Sequence, residues 1–152
     1  MRNFEQVKDV IEYSQEIHTK LAKFYNQLSE KHQLSHIKML LDYLNRHERN
    51  LADCLSQYEN DAAQQMMNTW LQYAPTTKLE DKIKYFPIHS DMTLQEVIDI
   101  ALDLDNALVD LYRNVAQNVD TQELRELFQS LIDMEDHEKK RMVRDAMMLN
   151  DL

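Results

Sequence analysis

The chain of 152 residues can bury one core of ordinary domain size, and it carries 27 acidic against 17 basic residues. The resulting formal charge of -10 opposes binding to the phosphates of DNA or RNA, so no nucleic-acid partner is expected. With 0 glycines, 2 prolines and 1 cysteine, the chain lacks the means for hairpin-rich β folds, Gly-rich phosphate loops, an intramolecular disulfide, a CxxC redox pair or a Cys-rich zinc site.

Long helices remain. The first is predicted over residues 4–31, where Phe4, Val7, Ile11, Ser14, His18, Leu21, Tyr25 and Leu28 recur at spacings of three and four. Asn3 is its expected N-cap, and the stripe turns polar at Ser14 and His18. Lys31–Leu34 is a short connector, with Ser35 expected to cap the next helix. The second helix, residues 36–59, carries Ile37, Leu40, Leu44, His47, Leu51, Cys54 and Tyr58 on one side. His47 is its polar break.

Residues 60–92 read as a long crossover with short helices. Ala62–Tyr73 suits one such helix, with Met66, Met67, Trp70 and Leu71 covering the core and Pro75 ending it. A second short helix and an extended stretch around Pro87 follow. Thr93-Leu-Gln-Glu96 is a capping box that opens the third long helix, 93–119, on which Asp105 interrupts an apolar stripe. Asp120-Thr-Gln-Glu123 is a second box, opening a fourth helix over 121–149. Its core positions are Leu124, Leu127, Phe128, Leu131, Met142 and Ala146, with Glu135 and Glu138 between them. No apolar run approaches the roughly 20 residues that span a bilayer and no signal peptide precedes Phe4, so a cytoplasmic protein without a membrane partner is expected. The whole chain, 1–152, reads as one all-α domain, a four-helix bundle of two antiparallel hairpins.

The polar breaks share a level. Counted from a first loop near residue 33, His18 lies 15 residues before and His47 14 after; counted from a second near 119–120, Asp105 and Glu135 lie about 15 to either side. A lengthwise crossover brings these midpoints together, with Glu138 one turn away and His137 beside it. Two features repeat: a tyrosine seven residues after His18 (Tyr25) and after Asp105 (Tyr112), and His47-Glu48-Arg49 echoed by His137-Glu138-Lys139.

This pattern resembles the ferritin-like superfamily, and within it the rubrerythrin-like branch. There helices 1 and 3 each give a Glu, typically with an aromatic residue seven on, and helices 2 and 4 each give Glu-x-x-His. The resemblance puts His18 and Asp105 on the single-Glu positions and Glu135 with Glu138 on the fourth-helix pair. His47 and Asn50 fall on the second-helix pair, and Cys54 on the apolar position after it. Only Glu135 then keeps the family's residue, and no rubredoxin-like CxxC module follows. The resemblance implies one or two metal ions, iron first, with zinc or manganese open, held by His18, His47, Asp105, Glu135 and Glu138, with Asn50 a further candidate. Shifting the fourth helix by two residues would bring His137 to His47 instead. A catalytic member of the branch would be an oxidoreductase using a non-haem metal centre, with a role in oxidative stress or iron handling. The other reading of the same residues is a metal-free bundle whose His–carboxylate network fixes helix register, acting as a structural or interaction module. A homo-oligomer, a dimer first, is expected; the sequence points to no small-molecule substrate.

Overall fold

The computed structural model describes residues 2–71, 76–77, 79–84 and 91–150. In chain order the elements are β1 (Arg2–Asn3), α1 (Val7–Lys31), α2 (Ser35–Asp61), α3 (Gln64–Met67), β2 (Thr76–Thr77), α4 (Leu79–Lys84), α5 (Leu94–Asn118) and α6 (Gln122–Asn150).

The helices begin where local chemistry satisfies their first amides. For α5 this is the box seen in the sequence: Thr93 Oγ1 accepts from the Glu96 N–H at 3.2 Å. Thr93→Ala should therefore cost about 1 kcal/mol and lower the midpoint of a thermal melt by roughly 3 °C. The other starts differ from expectation. The cap of α1 is Gln6, not Asn3, and its own N–H donates to Asp9 Oδ2 at 2.9 Å. Residues 2–6 are drawn into extended pairing with the crossover instead: β1 runs antiparallel to β2, and the Leu71 N–H donates to the Glu5 carbonyl at 2.8 Å. At α2 the cap position is Leu34 and Ser35 is already helical. At α6, Thr121 Oγ1 accepts from the Leu124 N–H at 3.3 Å, and the helix begins at Gln122.

The apolar stripes meet in one core running through all four long helices, from Phe4 and Val7 to Met142 and Ala146. The buried face of α2 is broader than a single stripe, since Leu41 and Leu55 join it; Cys54, expected on that face, is exposed. Two long-range bonds fix directions. His32 Nδ1 accepts from the Leu34 N–H at 3.4 Å, so its Nε2 donates to the Met92 carbonyl at 3.1 Å and ties the start of α5 to the α1–α2 join. The Tyr43 hydroxyl donates to Asp145 Oδ2 at 2.9 Å, setting the start of α2 against the end of α6. Thus α5 runs parallel to α2, α6 runs antiparallel to both, and the crossover returns along the bundle.

The crossover helix is shorter than expected. After Met67 the chain leaves the helix so that Trp70 can bridge to Gln6 through its backbone, which leaves the indole 65% exposed while Met67 is buried. Pro75 and Pro87 lie outside the described residues. Among the described residues no helix is long and apolar enough to cross a membrane.

Candidate metal centre

Midway along the bundle the core turns polar. His18 of α1, His47 and Glu48 of α2, Asp105 of α5 and Glu135 of α6 are all buried, none more than 5% exposed. Groups of this kind reach an interior only when paired or coordinated, because desolvating an uncompensated charge costs several kcal/mol.

Glu48 is the member that sequence reasoning missed. The spacing singles out His47 as the polar break of its helix, yet adjacent positions on a wide helical face can both be buried. The signal was present: Glu48 lies 15 residues after residue 33, as far as His18 lies before it. It also has an apolar residue, Leu55, seven positions on, as Glu135 has Met142. With this correction two glutamates, Glu48 and Glu135, stand where the family pattern has them, and Leu51 replaces the histidine that would follow Glu48. Asn50 and His137 are exposed on the outer faces of their helices, away from the layer.

His18 is held from both sides. Its Nδ1 contacts Glu48 Oε2, and its Nε2 lies 2.8 Å from Glu135 Oε1. Carboxylate oxygens accept, so an imidazole bonded to one at each nitrogen carries hydrogen on both and is a cation. Burial alone would lower its pKa; the charges of Glu135 and Glu48, reinforced by the hydrogen bonds, win and hold it well above the ordinary imidazole value. The Tyr112 hydroxyl adds a bond to Glu135 Oε1 at 3.3 Å.

The other half of the layer is not closed. One nitrogen of His47, one oxygen of Glu48 and one of Asp105 lie within 4.8 Å of one another. Transition-metal bonds of about 2.0–2.2 Å place donor atoms roughly 3–4 Å apart, a gap that small side-chain rotations close. His47 Nε2 and Asp105 Oδ1 are buried with no hydrogen-bond partner among the described residues, as is the Tyr25 hydroxyl. Burial lowers the pKa of His47, favouring the neutral form that ligates metals. Burial, then the charges of Glu48 and Glu135, hold Asp105 well above the usual carboxylate range. Burial likewise raises Tyr25, with Glu48 and Asp105 adding to the effect. The His47 ring stacks on Tyr43 with centroids 6.1 Å apart, and Glu138 Oε2 lies 3.9 Å from His47 Nδ1, its side chain 25% exposed.

This donor set does not fit two ions. Ferritin-like di-metal centres draw on four carboxylates and two histidines. Here one carboxylate position is His18, whose cation already engages Glu48 and Glu135, and the α2 histidine position is Leu51. The set does fit one ion, at His47, Glu48 and Asp105.

Two antiparallel helical hairpins, a lengthwise crossover and a buried His–carboxylate layer at mid-height make this a ferritin-like four-helix bundle. Its fold is similar to the crystal structure described as that of a ferritin-like diiron-carboxylate protein from Thermotoga maritima, with a TM-score of 0.64 and 18% identity over 97% of this chain and 98% of that one. Residues 9–143 match the Rubrerythrin family, and the chain belongs to that family, an affiliation that points to metal binding. No curated protein sequence matches it.

Proposed function

We propose that the protein binds a single divalent transition-metal ion between His47, Glu48 and Asp105, with His18 as a fixed cation that takes over the balancing role of a second ion. The observation that carries this reading is the pair of buried, unpartnered atoms, His47 Nε2 and Asp105 Oδ1, on side chains that converge with Glu48. In native proteins such atoms nearly always have a partner, an ion included. One imidazole with two carboxylates suits iron, manganese or zinc, and family membership favours iron. When bound, the ion supplies Lewis acidity, or one-electron chemistry if it is iron or manganese. The chain's own residues do the rest. His18 neutralises charge beside the ion, a bound cation would offset the burial that favours the protonated form of Asp105, and burial with the charges of Glu48 and Asp105 favours the neutral Tyr25 hydroxyl. A role in iron handling or oxidative stress follows if the ion is iron.

A second reading has its own observation. The closed Glu48–His18–Glu135 triad satisfies itself without metal, as a register-fixing network would. Elemental analysis after metal-supplemented expression separates the two. About one equivalent in the native chain, falling below about 0.1 in Asp105→Asn, is expected for a dedicated single site. A native chain that also holds less than about 0.1 equivalent identifies the metal-free bundle.

A further inference from the structure

We propose that Glu138 is the loading ligand of this centre, the carboxylate that takes an ion from solvent and passes it to His47; the assignment rests on the one-ion reading above. Glu48, Asp105 and Glu135 are each 1% exposed, so an arriving hydrated cation cannot meet them directly. Stripping a divalent ion of its water costs many kcal/mol unless protein oxygens replace that water stepwise. Glu138 is the acidic side chain beside the layer that reaches both sides of this barrier. Its carboxylate is partly in solvent, and its Oε2 stands 3.9 Å from His47 Nδ1. That separation is beyond hydrogen-bond length, so neither group locks the other. Among the described residues Glu138 makes no hydrogen bond, whereas its neighbours on α6 are committed: Lys139 to Asn106 and Asp136, and Glu135 to His18 and Tyr112. It can therefore rotate. His47 completes the route. One ring nitrogen, Nδ1, faces the partly exposed carboxylate, while the other, Nε2, is buried with no hydrogen-bond partner among the described residues. An ion held by Glu138 at the surface is thus one imidazole away from the cluster of His47, Glu48 and Asp105.

At Glu138 the chain departs from the family's Glu-x-x-His pattern. The fourth-helix motif places a histidine three residues after its glutamate, and here the acidic, partly solvated side chain of Glu138 stands there. A carboxylate in that place gives up one strong resident donor and gains a mobile one.

The test is stopped-flow loading of the metal-free full-length protein with Co²⁺, followed by the visible absorption of the bound ion. Native protein should take up one Co²⁺. Glu138→Gln should reach the same endpoint with the same spectrum but load about tenfold more slowly or worse, since a local carboxylate raises cation on-rates by that order or more. Glu138→Asp should recover part of the rate. A Glu138→Gln protein that loads at the native rate overturns the proposal. One that never binds Co²⁺ makes Glu138 a resident ligand, which overturns it equally. Asp105→Asn separates the two levels of the argument: it should abolish the endpoint itself. Stoichiometric binding by Asp105→Asn, or none by native protein, would sink the one-ion reading and the loading role with it.

Discussion

Replacing His18 with glutamine should cost about 3–5 kcal/mol of folding stability, the loss typical of removing one partner from a buried ionic group. Glutamine keeps most of the volume and one polar end, but it carries no charge and cannot donate to two carboxylates on opposite sides of a ring. Glu48 and Glu135 would then face each other across a neutral amide in a core lined by leucines and tyrosines, with Asp105 adding to the crowding of acids. For a chain of this length the loss corresponds to a melting midpoint lower by roughly 10 °C. Urea unfolding of the metal-free protein measures it directly. Combining His18→Gln with Glu48→Gln should restore part of the stability, because the cost arises from stranded charge, not lost packing. A single-variant loss below about 1 kcal/mol would mean that His18 is not the counterion of this layer.

The second large effect is on pH. With metal removed by a chelator, the thermal midpoint should fall as the pH rises from about 6.5 toward about 9. His18 has its pKa raised in the folded state, so its contribution is complete below the unfolded value of about 6.5 and is lost as the pH climbs through the folded value. Asp105 is also raised; its contribution is complete below about 3.9 and decays through its own higher folded value. His47 works the other way. Lowered by burial, it stabilises above about 6.5 and loses that contribution as the pH falls through its depressed value, so it shapes the acid side of the profile. Above neutrality the native state holds more protons than the unfolded chain, and stability declines. Each unit of raised pKa is worth about 1.4 kcal/mol, or about 3 °C in a chain of this size. Calorimetric scans across this range check the slope, and a midpoint that stays level or rises would refute it. His18→Gln should flatten the decline, since it has no ring proton to lose.

The parts of this protein that were legible in its amino-acid order are those decided by contacts between near neighbours. The four long helices and their buried faces follow from spacing, and the start of α5 follows from a threonine three residues ahead of the amide it caps. Asn3 is not a cap, because residues 2–6 are claimed by partners about 64 to 75 positions away, at residues 70–71 and 76–77. Trp70 does not cover the core, for the same reason: its backbone answers to Gln6, and the indole is turned out to water. In the buried layer, His18, Asp105 and Glu135 stood out because each breaks an otherwise apolar stripe. Glu48 did not, because it adjoins another polar residue and a stripe of one residue per turn is narrower than the face α2 buries. Cys54 and Leu55 exchanged roles through the same one-residue rotation.

The layer's members also decide how the two hairpins can align. His18 and Glu48 come from one hairpin, Asp105 and Glu135 from the other, and each hairpin is closed by a connection of only three residues between its helices. The apolar faces between the hairpins would tolerate several alignments, but the charges would not. Slipping one hairpin by one turn, about 5.4 Å, would part Glu135 from His18 and leave the ring bonded on one side only. The charged layer would thus penalise every alignment but one, which leucines at the same level would not do.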